Sequence, residues 1–140
     1  MSEKVLIVDD EVDFLELMEE RLVARGIEVS TSSSAEDALK RIEMDLFDAV
    51  ILDLQMPGMN GMEALKRIKE QRPEIQVILL TGHGTIETAV LGMKLGAYDY
   101  MLKPADPVEI ARKLEGARNR KKEQEDRIRE AEQKTLPQKG

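Results

Sequence analysis

The chain has 140 residues, 41% hydrophobic and 35% charged, the balance of one globular domain with its own core and not of a disordered or fibrous chain. It contains no cysteine and one histidine, His83, which excludes disulfides, thiol catalysis, thiolate metal sites and histidine-rich zinc centres. The net charge of -7 is unevenly spread, with 11 Lys and Arg against 22 Asp and Glu in residues 1–110 and 10 against 6 in residues 111–140; an acidic body whose aromatics are Phe14, Phe47, Tyr98 and Tyr100 argues against direct nucleic-acid binding.

Short β-branched runs alternate along the chain with longer segments of helical period, the pattern of a parallel sheet wrapped by helices. The opening sequence MSEKVLIVDD sets acids where a signal peptide needs an apolar stretch and a small-residue cleavage site. The longest apolar runs, 5–8, 49–52 and 77–80, fall far short of the roughly 18 residues of a membrane span. A cytoplasmic location without membrane contact is the expectation.

The first strand is read over 4–8, followed by a helix over 12–25 with Phe14, Leu15, Met18 and Leu22 on one face and Gly26 as its stop. Residues 27–31 give a second strand, and Ser33 or Ser34 caps a helix carrying Ala35, Ala38, Leu39 and Ile42. A third strand over 49–52 runs into the loop 55–60 and a helix over 61–71, closed by Pro73. The fourth strand spans 75–80 with a helix over 85–95, and the fifth spans 98–102 with a helix starting near Asp106. Strands one, three and four are nearly continuous apolar runs, as central strands buried on both faces require.

Good helix formers and no proline between Pro107 and about Lys134 predict that the last helix overruns the domain. Ile110, Leu114 and Ala117 have a sheet to face. The same spacing then meets Lys121 and Gln124 before Ile128 and Ala131, too polar for a coiled-coil seam. The mixed-sign segment beyond about Arg120 is therefore expected to be an exposed connector or weak dimer contact, not an anchored element.

In open α/β sheets, reactive groups gather where the strands end at their carboxyl edge. Asp9, Asp10 and Glu11 follow the first strand, Asp53 the third, Thr81 the fourth and Lys103 the fifth. Carboxylates brought together there repel one another without a cation. Magnesium, which favours one or two carboxylates with waters and a phosphate oxygen, suits such a set. The lysine and the hydroxyl would meet a developing phosphoryl charge, and one aspartate would act as the nucleophile that becomes an aspartyl phosphate. No Gly-rich loop follows the first strand, which argues against a flavin or dinucleotide binder. Nor does any inserted lid enclose a small substrate, as a magnesium-dependent phosphohydrolase would need.

Four segments in this order and spacing, VLIVDDE, DAVILDLQMPGMNG, VILLTGHG and AYDYMLKP, resemble the receiver domain of bacterial two-component response regulators. The resemblance covers about residues 3–118 and leaves 119–140 as a helical extension or linker. It implies a flavodoxin-like (βα)5 three-layer sandwich around a five-stranded parallel sheet of order 2-1-3-4-5. It also implies that Asp53 is the phosphoacceptor, modified to 4-aspartylphosphate, with Lys103 as the phosphate-contacting lysine. Thr81 would be the switch hydroxyl and Tyr100 the switch aromatic.

In such domains Mg2+ would be held by Asp10, Asp53 and the backbone carbonyl of Gln55, with Asp9 reaching it through water, and the Lys103 to Pro104 bond would be cis. Gln55 and His83 fall at positions that vary among receivers and tune the acyl phosphate's lifetime. The implied partner is a sensor histidine kinase or histidine phosphotransfer protein, and the implied oligomer a homodimer through helix 4, strand 5 and helix 5. The role would be signalling through the domain's own phosphotransfer and dephosphorylation, not enzymatic turnover. A receiver-fold interaction module that is never phosphorylated is the alternative. Met56, Met59 and Met62 read either as loop packing or as a partner-binding stripe.

Overall fold

The computed structural model describes residues 3–56, 58–82 and 84–135; His83 lies outside the described residues. Five strands, β1 (Lys4–Val8), β2 (Glu28–Ser32), β3 (Ala49–Asp53), β4 (Gln76–Thr81) and β5 (Asp99–Leu102), alternate with α1 (Val12–Val23), α2 (Ala35–Met44), α3 (Gly61–Gln71), α4 (Ile86–Lys94) and α5 (Pro107–Thr135). Every strand pair is parallel and the sheet order is β2-β1-β3-β4-β5, as the resemblance implied.

Alternation along the strands builds two cores. Leu6, Val8, Val50, Leu52, Val77 and Leu79 pack on one face against Ala38 and Ile42 of α2 and Leu65 and Ile68 of α3. Val5, Ile7, Ile51, Ile78 and Leu80 pack on the other against Leu15, Met18 and Leu22 of α1 and Ile110 and Leu114 of α5. With β1, β3 and β4 covered on both faces, their polar residues are confined to the strand ends, and all five carboxyl ends lie at one edge. Met56 is buried in the first of these cores and Met59 and Met62 pack half-buried against it, which supports the reading of these residues as packing.

Several boundaries differ by a residue or two from those expected, each because a specific hydrogen bond ends the element. Helix α1 stops at Val23 rather than Arg25: Gly26, at φ 85, donates its N–H to Val23 O at 2.9 Å, and Ile27 donates to Leu22 O at 3.2 Å, a Schellman closure. That bond draws Ile27 into the helix cap, so β2 begins at Glu28. The Ile75 N–H likewise turns back to Arg72 O, and β4 begins at Gln76. Ser34, and not Ser33, caps α2 by accepting the Asp37 N–H at 3.1 Å. At the other edge the ladder takes in Asp53 opposite Leu80 and Thr81 opposite Leu102, one residue beyond each apolar run.

Helix α3 starts directly behind β3. A Cβ on Gly61 would lie 2.7 Å from Leu54 Cα, so glycine alone lets the first turn come this close to the backbone beside Asp53. Gly61→Ala is expected to destabilise the fold by about 1–3 kcal/mol through this clash. Urea unfolding measures it, and an unchanged midpoint would show that the contact yields freely.

Helix α5 overruns the domain as expected, with Ile110, Leu114 and Ala117 fully buried. Its detachment beyond Arg120 needs correction. Lys121 Nζ donates to Asp48 Oδ1 at 3.0 Å, and Gln76 Nε2 donates to Gln124 Oε1 at 3.1 Å. The helical spacing that buries Ile110, Leu114 and Ala117 brings Lys121 and Gln124 onto the same side, where the amino-terminal edge of the sheet offers polar partners.

Candidate functional site

At the carboxyl edge of the sheet, Asp9 and Asp10 emerge from β1, Asp53 ends β3, Thr81 ends β4 and Lys103 follows β5. Asp9, Asp53 and Thr81 are buried, whereas Asp10 and Gln55 are exposed. Each of Asp9, Asp10 and Asp53 offers a carboxylate oxygen, and these oxygens lie within 4.8 Å of one another. At such a separation, two like charges repel by about 3 kcal/mol at an effective dielectric of ~20.

One ammonium offsets part of this repulsion. Lys103 Nζ lies 2.7 Å from Asp9 Oδ2, 3.3 Å from Glu11 Oε1 and 3.7 Å from Asp53 Oδ2. Its opposite side faces Phe14, with the ring centroid 4.7 Å away, a cation–π contact that fixes the long side chain over the cluster. The Lys103 backbone is held as well, its N–H donating to Thr81 O at 2.8 Å and its bond to Pro104 being cis. Burial pulls the lysine's pKa down, but Asp9, Asp53 and Glu11 outweigh it and the net shift is upward. The ammonium therefore stays charged throughout the physiological range.

The surroundings of Asp53 oppose its charge. Burial pushes its carboxyl above the ordinary aspartate value; the Gln55 N–H, donating to Asp53 Oδ1 at 3.1 Å, and Lys103 pull it back, while Asp9 and Asp10 add to the rise. Asp9 is steadied by the Glu11 N–H, which donates to its Oδ1 at 2.9 Å. Three carboxylates against one close ammonium, all hard oxygen donors at one edge, form a set that suits a hard divalent cation. The exposed Asp10 pairs with no cation among the described residues.

Gln55 bridges two loops. Its N–H meets Asp53, and its side-chain Oε1 accepts the Gly82 N–H at 3.1 Å, which ties the loop after β3 to the loop after β4. Tyr100 pairs with Leu79, and Thr81 stands two residues beyond Leu79, so Thr81 and Tyr100 share one face of the sheet. The Tyr100 hydroxyl lies 3.1 Å from Thr88 Oγ1 in the first turn of α4, over Gly84, where a Cβ would come within 2.6 Å of it. Thr88 also completes the capping box with Thr85, so one residue connects the start of α4 to Tyr100. Outward from here Ile86, Val90, Leu91, Met93 and Leu102 leave an apolar surface exposed.

Asp9, Asp10, Asp53, Gln55, Thr81 and Lys103 stand at this edge with Tyr100 in β5 beside them, while His83 lies outside the described residues. Phe14 beneath Lys103 and Thr88 beside Tyr100 were missed. Phe14 reads in sequence as one apolar position on a helix face, and nothing in the chain marks that it meets a lysine 89 positions away; the threonine pair at 85 and 88 signals a cap but not its second bond.

Residues 5–115 match the family of the response regulator receiver domain. The chain is a receiver domain of this family. Among curated relatives, the alkaline phosphatase synthesis transcriptional regulatory protein PhoP of Bacillus subtilis is 37% identical over 110 residues, 79% of this receiver and 46% of that protein. Among solved structures, a response regulator receiver domain from Clostridium thermocellum superposes with a TM-score of 0.80 at 39% identity, covering 86% of this receiver and 97% of that chain. NtrX from Brucella abortus superposes with a TM-score of 0.85 at 34% identity, covering 99% of this receiver but 31% of NtrX. The receiver spans less than half the length of the curated relatives it matches. It is a signalling domain built on the fold of response regulators, with an acidic cluster able to hold a metal. No helix among its described residues is long and apolar enough to cross a membrane.

Proposed function

We propose that this receiver takes a phosphoryl group from a phosphohistidine of a sensor kinase or phosphotransfer protein in the cytoplasm onto Asp53, and that the modified aspartate changes the α4, β5 and α5 face. The observation that carries this reading is the meeting of Asp9, Asp10, Asp53 and Lys103 at one sheet edge, with Lys103 2.7 Å from Asp9 and 3.7 Å from Asp53. The receiver function is assigned to 3–118, with 119–140 as a helical extension or linker that is helical as far as Thr135. The acidic body leaves any nucleic-acid contact to other segments.

The Asp53 carboxylate attacks phosphorus, a P–O bond forms as the P–N bond to the imidazole breaks, and the nitrogen leaves with the electron pair. Asp53 is held for this by the last rung of the β3 ladder and by the Gln55 N–H. Lys103, fixed between Phe14 and the acids, supplies positive charge to the oxygens in transfer, so positioning and electrostatics do most of the work. Asp10, Asp53 and the Gln55 carbonyl would hold Mg2+, with Asp9 nearby, and the ion supplies neutralisation of the phosphoryl oxygens. Thr81 is then drawn toward the new charge, and Tyr100, sharing its face, gives up the Thr88 contact for the space left behind. Helix α4 and β5 thereby shift population between two states, and their exposed apolar surface is the patch through which a homodimer or an output partner is controlled.

Beryllofluoride, a phosphoryl mimic, tests this against a receiver fold that is never modified. With Mg2+ and beryllofluoride, the amide resonances of Thr81, Gly82, Thr88 and Tyr100 are expected to move in the parent chain and to stay in place in Asp53→Asn. Unmoved resonances in the parent would end the proposal. Mg2+ alone is expected to raise the melting temperature: for a dissociation constant on the order of 1 mM, ~10 mM Mg2+ adds about 1.4 kcal/mol. The same rise in Asp10→Ala would place the ion elsewhere.

A further inference from the structure

The amino-terminal edge of the sheet, opposite the acidic site, carries a second charged cluster that phosphotransfer does not use. Glu3, just before β1, is 7% exposed, and its Oε1 has no hydrogen-bond partner among the described residues. Asp48, just before β3, accepts the Lys4 N–H at 2.8 Å on one carboxylate oxygen and Lys121 Nζ at 3.0 Å on the other. From α5, Glu115, Arg118 and Lys121 face Glu3. From the strands, Glu28 of β2 meets the Glu3 carbonyl through its backbone N–H, and Lys4 follows it on β1. Gln124, one turn past Lys121, is bonded to the buried Gln76 of β4.

We propose that Glu3, Asp48 and Lys121 form a proton-responsive latch that holds the distal part of α5 against the amino-terminal edge of the sheet. With Glu3 ionised, its carboxylate is buried beside Asp48 and Glu115 with an oxygen unbonded among the described residues, and it competes for Arg118 and Lys121 with Asp48 and with Glu125, which lies 3.6 Å from Lys121 Nζ. With Glu3 protonated, one acid is withdrawn from that competition and Asp48 keeps Lys121 at 3.0 Å. Burial, aided by Asp48 and Glu115 and opposed by Arg118 and Lys121, pushes the Glu3 carboxyl from 4.5 to about 7. Lifting the helix beyond Ala117 would bring Glu3 into water and restore its ordinary acidity. The docked state therefore binds a proton that the undocked state releases. Docking is strongest at and below the ordinary value of 4.5 and weakens as pH rises through about 7. The latch is independent of Asp53 and of the phosphotransfer reading.

The natural chain has no cysteine, so nitroxide labels on Glu70→Cys in α3 and Arg127→Cys in α5, both exposed positions, report the docking distance by electron paramagnetic resonance in the full chain. A single narrow distance is expected at pH 6, and a longer population is expected to grow by up to about tenfold between pH 6 and pH 8, levelling off once pH is well above about 7. Glu3→Gln is expected to keep the narrow distance at both pH values, Glu3→Met to do the same without a polar group, and Asp48→Asn to show the long population already at pH 6. A distribution unchanged between pH 6 and pH 8 in the labelled parent would overturn the proposal. So would the same pH response in both Glu3 variants.

Discussion

Incubated with acetyl phosphate and Mg2+, the parent chain is expected to gain one phosphoryl group, and the Asp53→Asn variant none. Intact mass measures the gain, and peptide mapping places it; equal labelling of the variant would sink the assignment. The same substitution is expected to stabilise the chain in the absence of Mg2+. The Asp53 carboxyl sits above its ordinary 3.8 in the fold, through burial first and its acidic neighbours next. The fold thus holds a proton more tightly than the unfolded chain does. The stability tied to this group is complete below the ordinary value and lost as pH rises through the folded one. Once ionised, Asp53 opposes folding, and asparagine removes that opposition at nearly constant shape. A variant that melts higher than the parent yet accepts no phosphoryl group separates loss of the acceptor from loss of the fold.

Lys103→Met is expected to have the largest effect in the opposite direction. It leaves Asp9, fully buried, and Asp53 without the ammonium that lies 2.7 and 3.7 Å from them. Breaking a buried pair by removing one partner costs about 3–5 kcal/mol, and the lower end applies here because the Lys103 side chain keeps 16% exposure. The methionine retains the contact with Phe14, so the charge alone is tested. Urea unfolding should show the loss, and ~10 mM Mg2+ should recover part of it by supplying another positive charge. A variant as stable as the parent without Mg2+ would show that Lys103 does not compensate the acids.

The three central strands were legible because burial on both faces leaves a run such as 5–8 or 77–80 no alternative to apolar residues. The site was legible for a related reason: where the apolar run stops, the next polar residue has only the sheet edge to occupy, and Asp53, Thr81 and Lys103 follow directly. What escaped depended on contacts far apart in the chain. Phe14 under Lys103 and Gln124 on Gln76 are side-chain meetings across two elements, with no periodicity to announce them. The misjudged stretch of α5 shows the same limit. Lys121 was read by its polarity as a solvent residue, but its ammonium is drawn to a carboxylate, Asp48, that the fold sets beneath it. Polarity reports what a residue avoids, and only the tertiary arrangement shows what it finds.

The length of α5 sets a mechanical scale for the domain. Its 29 residues give a rod of about 43 Å at 1.5 Å per residue, and Gln124 bonds it to the body through Gln76. That contact is a fulcrum. From it to Thr135 the helix projects by roughly 16 Å, so a tilt of about 10 degrees at the base sweeps the tip through roughly 3 Å. A tilt of that size where α5 rests on the sheet thus moves its far end by about a hydrogen-bond length, without any bond in the helix being broken.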